Sequence, residues 1–110
     1  MSDLTNQKCI PCETYVPPLL EEKEEELLKK IPTWQIDRSE NAHKLVKVFD
    51  FKDFKEAMKF VNAVAKLAEK EGHHPDILIS YSKVIIMLYT HFIKGLHQND
   101  FIVAAKIDEL

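Results

Sequence analysis

Four of the five histidines in the chain lie within one stretch of 32 residues, from Glu69 to Asp100: His73, His74, His91 and His97. The first two are adjacent and precede Pro75, and Glu69 lies one helical turn before His73. Imidazole has an unperturbed pKa of about 6.5, so it both donates and accepts protons near neutral pH. The cluster therefore predicts a site of acid–base catalysis.

Two other roles for these histidines are open on the sequence. The number of ligands required by a catalytic zinc is met by His73, His74 and His91. However, neighbouring side chains in extended backbone point to opposite faces, and Pro75 favours extended backbone at His74. A shared metal ion is therefore disfavoured. The structural alternative is that His73 caps the last carbonyls of a preceding helix, where the helix dipole favours a cation.

Nucleophilic and phosphate chemistry find little support in the composition. Cys9 lies in a proline-rich segment, and the chain has no GxSxG sequence, the motif that exposes a nucleophilic serine on a sharp turn. Gly72 and Gly95 are the only glycines, which excludes a glycine-rich loop around a phosphate. The CxxC pair of Cys9 and Cys12 lacks a second half to complete a zinc site, so both residues are predicted to be reduced thiols.

Length and charge limit the class of protein. At 110 residues the chain fits one domain, and its 15 basic against 18 acidic residues leave a formal charge of -3. It has no basic run to contact phosphates, so we expect no direct nucleic-acid ligand. It also has no leader sequence or membrane-spanning apolar run, so we expect a soluble, cytoplasmic protein with no membrane partner.

The pattern of apolar residues predicts an irregular arm followed by one domain. Residues 1–18 contain three prolines and form the arm, and residues 19–110 form the domain. The predicted elements are a helix over 19–30, strands over 34–37 and 45–51, a helix from Asp50 or Asp53 to Glu71, strands over 76–80 and 83–92, and a helix capped by Asn99 or Asp100. This order favours an α+β fold, a four-stranded antiparallel sheet with three helices packed on one face.

Two details of these elements bear on the site. The run EEKEEE in the first helix is predicted to be a solvated face beside an apolar stripe of Leu20, Leu27, Leu28 and Ile31. In the last strand, alternate residues place Ile85, Met87, Tyr89 and His91 on one face. If helices cover the opposite face, the face with His91 is left for a ligand, a second subunit or both.

The histidines belong to a longer pattern of typed residues. Glu69-xxx-His73-His74-Pro75, followed by Tyr81, His91 and Asp100 at fixed spacing, resembles the signature of pterin-4a-carbinolamine dehydratases. Residues 49–69 resemble the strand-to-helix segment of that family, and residues 90–101 follow its THxxxGLxxxD pattern. The likeness extends over roughly residues 19 to 108.

The resemblance implies a hydro-lyase that converts 4a-hydroxytetrahydropterin to quinonoid dihydropterin, in the recycling of tetrahydrobiopterin or a related pterin. It also implies a homodimer or homotetramer that uses no metal and no bound redox cofactor. Carried across position by position, it makes His73, His74 and His91 catalytic with support from Glu69, and it places Pro75, Asp76 and Tyr81 beside His74 in substrate binding.

By the same analogy, His73 and His91 form the acid–base pair and His74 binds and orients the pterin. Two alternatives stay open. Some members of the family act as dimerisation partners of a homeodomain transcription factor, which would make this chain an interaction module. Others are linked to molybdopterin metabolism.

Overall fold

A computed structural model describes residues 3–10 and 16–110 and contains the predicted succession of helices and strands. Its elements are a 3-10 turn Asp3–Asn6, α1 Glu21–Leu28, β1 Gln35–Asp37, β2 Lys44–Asp50, α2 Phe54–Glu71, β3 Asp76–Ser80, β4 Lys83–Leu88, a 3-10 turn His91–Ile93, and α3 Gln98–Ile107. Within these residues, no helix is long and apolar enough to cross a membrane.

The four strands form one antiparallel sheet in the order β1-β2-β4-β3. Two hairpins, β1–β2 and β3–β4, join along β2 and β4, where Leu45 lies opposite Leu88 and Val48 lies opposite Ile85. The helix α2 carries the chain from the first hairpin to the second. The antiparallel sheet predicted from the sequence is confirmed.

One face of the sheet packs on the helices. Val84, Ile86 and Leu88 of β4 are fully buried in a core that also holds Ala57 and Val64 of α2. Burying a side chain of this size stabilises a fold by about 1.5–3 kcal/mol. The opposite face is less covered: Val48 and Leu78, which flank Ile85 on neighbouring strands, are 47% and 51% exposed.

The ends of α2 determine where the histidine pair lies. Asp53 caps its N-terminus by accepting a hydrogen bond from the Glu56 amide at 2.9 Å. Gly72 ends it in the left-handed region, with φ of 67°, and the His73 amide then donates to the Ala68 carbonyl. Both ends were predicted. Because only glycine adopts this φ without strain, Gly72 places His73 directly at the helix end.

The first helix differs from its prediction in two respects. It begins two residues later than expected, and Leu20 is 77% exposed, so that residue does not belong to the apolar stripe. The acidic run is not solvated throughout, because Glu24 is only 1% exposed. Its carboxylate accepts hydrogen bonds from Arg38, at 3.1 Å and 3.2 Å, and lies 2.9 Å from His43 Nδ1. A buried carboxylate is tolerated here because it is paired.

The described part of the N-terminal arm packs against the body of the protein. Leu4 is fully buried in the core. The Cys9 amide donates to Glu71, and Asn99 bonds both the amide and the carbonyl of Ile10. Cys12 and Pro11 lie outside the described residues, so the predictions for them are not addressed.

The segment after β4 also corrects the prediction. The strand ends at Leu88 rather than at residue 92, and His91 begins a 3-10 turn that a Thr90–Gly95 bridge closes. The helix α3 begins at Gln98 with His97 as its N-cap, not Asn99 or Asp100. Asp100 instead takes the N3 position, from which its side chain accepts from the His97 amide at 2.9 Å.

Candidate active site

The predicted catalytic histidines lie at one end of the sheet. His73 and His74 precede β3, and His91 follows β4. These strands are antiparallel neighbours with Asp76 opposite Met87, so the start of β3 lies beside the end of β4. The fold therefore places at one end of the sheet two chain segments whose histidines are up to 18 positions apart in the sequence.

His73 is buried and bonded to a carboxylate. Its Nε2 lies 2.6 Å from Oδ1 of Asp100, which is fully buried. The other oxygen of Asp100 accepts from the Thr90 hydroxyl and from the His97 amide, each at 2.9 Å. A carboxylate held in this way fixes the orientation of the ring and favours a proton on Nε2, which leaves Nδ1 to accept one.

His74 points to a different carboxylate. Its Nε2 lies 2.6 Å from Oε1 of Glu69, and both side chains are exposed. The two adjacent rings thus diverge, one to the interior and one to solvent, in the direction that extended backbone predicts. Among the three histidines that Glu69 was predicted to support, the one it contacts is His74.

His91 is exposed and faces a third carboxylate. Its Nε2 lies 4.0 Å from Oδ2 of Asp76, and its ring lies edge-on to Tyr89 with 4.2 Å between centroids. Lys44 Nζ lies 4.9 Å from the centroid of the Tyr89 ring. Each of the three histidines is therefore adjacent to one carboxylate of its own.

The remaining predicted substrate-binding residues lie at two places. Pro75 and Asp76 stand between His74 and β3, beside the histidines. Tyr81 lies in the β3–β4 turn with φ of 53°, at the far end of β3, and is exposed. The structure does not bring Tyr81 to the histidines of the same chain.

The sequence predicted Asp100 as a helix cap and gave it no part in the site, and it gave Thr90 no role. Asp100 stands in the motif, but its contacts with Thr90 and His97 appear only in the structure. The signal that could have found them is the spacing of His97 and Asp100, which matches a capping box at the start of a helix.

The electrostatics near the site argue against Cys9 as a nucleophile. Burial, and then the negative charge of Glu71, raise the pKa of the Cys9 thiol to about 12. The thiolate is therefore scarce at neutral pH. Burial alone would raise the pKa of Glu71, but hydrogen bonds from Lys106 and from the Cys9 amide outweigh it and lower that pKa.

Metal ligation was the other interpretation of the histidines. In the part of the chain that the structure describes, no three side chains of metal-binding type come together. The geometry thus defines an α+β protein with three histidines at one end of its sheet, each beside its own carboxylate.

Comparison with known proteins identifies the family. The family profile described as "Pterin 4 alpha carbinolamine dehydratase" matches residues 17–110. A relative from Chlorobium luteolum, provisionally named a pterin-4-alpha-carbinolamine dehydratase, is 46% identical over 110 residues, which cover 100% of this chain and 96% of the relative. A relative of the same name from Saccharophagus degradans is 44% identical, covering 100% and 97%. This chain belongs to the pterin-4-alpha-carbinolamine dehydratase family.

Two solved structures share the fold. A transcriptional coactivator/pterin dehydratase from Brucella melitensis superposes with a TM-score of 0.77 at 32% identity, over 84% of this chain and 96% of that one. A pterin dehydratase-like protein described as a RuBisCO assembly factor of the alpha-carboxysome superposes with a TM-score of 0.59 at 26% identity, over 70% and 87%.

Proposed function

We propose that the chain dehydrates a pterin-4a-carbinolamine, 4a-hydroxytetrahydropterin, to the quinonoid dihydropterin by histidine acid–base catalysis. The observation that carries the proposal is the gathering of His73, His74 and His91 at one end of the sheet, each beside its own carboxylate. Family membership supports the same reaction class.

The reaction needs two proton transfers. The bond from C4a to the hydroxyl oxygen breaks as that oxygen receives a proton and leaves as water. The adjacent ring nitrogen loses its proton, and its electron pair forms the carbon–nitrogen double bond. Two imidazoles in opposite protonation states supply both transfers, and each positioned transfer typically contributes about 100- to 10,000-fold.

The surroundings of the histidines suit these roles. His73 keeps Nδ1 available while Asp100 holds Nε2, and Asp100 also stabilises the cation that forms when the ring takes up a proton. His91 is exposed and has Asp76 nearby, so it serves as the second member of the pair. His74, held by Glu69 at the surface, binds and orients the pterin. Either member of the pair can be the acid.

The substrate and the assembly are part of the proposal. We take tetrahydrobiopterin or a related pterin as the recycled cofactor, and the cytoplasm, where Cys9 stays reduced, as the location. The apolar face around Val48, Leu78 and Ile85 supports a homodimer or homotetramer, because monomers rarely expose a contiguous apolar patch of more than a few hundred Å².

A stopped-flow assay of carbinolamine disappearance tests the proposed function. The purified protein is expected to accelerate the loss of carbinolamine well above the spontaneous rate, in proportion to protein concentration. Equal rates with and without the folded protein would contradict the proposal. That result would favour the interaction module, a role in keeping with the names of the coactivator from Brucella and the RuBisCO assembly factor.

A further inference from the structure

The N-cap of α3 is an ionisable residue. His97 has extended backbone, and its Nδ1 accepts a hydrogen bond from the Asn99 amide at 3.0 Å. The usual N-cap side chains are those of Ser, Thr, Asp and Asn, none of which titrates near neutral pH. An imidazole nitrogen accepts a hydrogen bond only while it is unprotonated. This cap therefore forms only with neutral His97.

The cap is directly linked to the candidate active site. Asp100 completes the capping box by accepting from the His97 amide, and the same carboxylate holds His73 through its other oxygen. Asp100 is fully buried and Thr90, its third partner, is almost so. The first turn of α3 thus determines where the Asp100 carboxylate lies, and Asp100 determines the orientation of His73.

We propose that His97 is a positioning residue for His73, acting through Asp100, and that protonation of His97 releases this positioning. The inference rests on the proposed function, because it concerns the ring assigned to proton transfer. In the protonated state Nδ1 carries a hydrogen and meets the Asn99 amide donor to donor, so the cap opens. His73 then loses its fixed carboxylate partner.

The surroundings of His97 favour its neutral form at neutral pH. Burial is the largest cause and lowers the pKa of His97; the negative charge of Asp100 opposes it, and the nearby His73 ring lowers the pKa to a smaller extent. These two groups face it from α3 and from the end of α2. From the arm, Lys8 and Gln7 line a cavity of about 330 Å³ that His97 also borders.

The sign of the pH effect follows from this lowered pKa. Above the ordinary histidine pKa of about 6.5, His97 is neutral in both the folded and unfolded chain, and the cap contributes fully. As the pH falls below that value, the unfolded chain binds a proton first, so stability decreases until the folded pKa is passed. At acid pH the cap opens, and the Asp100 carboxylate no longer holds His73 in a fixed orientation.

Three variants separate the cap from the charge. His97→Ser keeps an N-cap that does not titrate, His97→Ala removes the cap, and Gln98→Ala changes the neighbouring residue as a control. At about pH 8, His97→Ala is expected to lower kcat roughly fivefold and to leave KM unchanged. About fivefold in rate is the equivalent of the free energy that a typical N-cap contributes. His97→Ser and Gln98→Ala should stay within about twofold of the parent. Parent-like kcat in His97→Ala would overturn the positioning role.

The pH dependence tests the release. From about pH 8 down to the most acid pH at which both proteins stay folded, the ratio of kcat in His97→Ser to kcat in the parent should rise, with the rise below the ordinary histidine pKa of about 6.5 because the folded pKa of His97 is lowered. A constant ratio would overturn the inference, since the two proteins would then respond to acid alike.

An NMR titration decides the inference without catalysis. In the parent, the ring resonances of His73 should show an inflection that reports protonation of His97, in addition to their own. The additional inflection should vanish in His97→Ser and persist in Gln98→Ala. Identical His73 curves in the parent and His97→Ser would overturn the inference. A protein with no dehydratase activity that still shows the additional inflection would retain the link while refuting the proposed function.

Discussion

Replacing Asp100 with asparagine tests how much the buried carboxylate contributes. The substitution conserves shape and removes one charge-bearing oxygen. The carboxylate accepts from His73, from Thr90 and from the His97 amide. An asparagine amide offers one oxygen and one NH2 group, so it cannot accept on both sides. If its nitrogen faces His73, the ring must carry its proton on Nδ1 instead of Nε2. If its nitrogen faces the other way, it meets the His97 amide donor to donor.

The magnitude follows from the loss of one such contact. A hydrogen bond to a charged group contributes about 1.5–3 kcal/mol, which corresponds to about 10- to 150-fold in rate. We expect Asp100→Asn to lower kcat by a factor in that range, because the wrong tautomer of His73 no longer accepts a proton at Nδ1. The free energy of unfolding should fall by a similar 1.5–3 kcal/mol or so.

The assay measures carbinolamine turnover at saturating substrate, with urea denaturation on the same samples. The control is Asp108→Asn, which removes another carboxylate near the end of α3, one that contacts Trp34 and Lys47 rather than the histidines. The kcat of this control should stay within about twofold of the parent value, since the substitution leaves the contacts of the three histidines intact. A folded Asp100→Asn protein with the same kcat as Asp108→Asn would refute the account of His73.

Three further predictions concern metal, assembly and the buried carboxylate of α1. Exhaustive chelation should leave kcat unchanged, whereas activity lost to the chelator and restored by zinc would revive the metal interpretation. Light scattering at micromolar protein should give two or four times the chain mass of 12.8 kDa, with weaker association in Val48→Lys, which puts a charge on the apolar face; the mass of a single chain would contradict this. Arg38→Ala should lower the free energy of unfolding by about 2 kcal/mol or more, because Glu24 stays buried with only His43 as a partner. Lys23→Ala, which breaks an exposed pair with Glu26, should change it by less than about 0.5 kcal/mol, and equal losses would argue against the buried pair.

The elements that could be predicted are those with local signals. The long helix α2 repeats apolar residues on one face, and Asp53 and Gly72 mark its ends, so its bounds follow from spacing and capping. The second hairpin follows from β-branched residues on either side of a turn. The histidine motif has fixed spacing, so it too could be read from the sequence alone.

The features that could not be predicted depend on contacts between distant parts of the chain. Glu24 is buried because Arg38 and His43 come to it from the β1–β2 hairpin, and nothing in the run EEKEEE indicates which glutamate they meet. The pair of His73 and Asp100 joins residues 27 positions apart. The strand β4 ends at Leu88, before the predicted residue 92, because Thr90 pairs with Gly95 across a tight turn.

The most direct test of the central claim is the turnover of carbinolamine by His91→Ala compared with the parent protein. His91 is exposed beside Asp76 and Tyr89, so removing its ring should leave the fold intact, as circular dichroism would verify. The account predicts that kcat falls by about tenfold or more, because a positioned proton transfer is lost. Near-parental kcat in the folded variant would contradict the claim that these histidines carry out the dehydration.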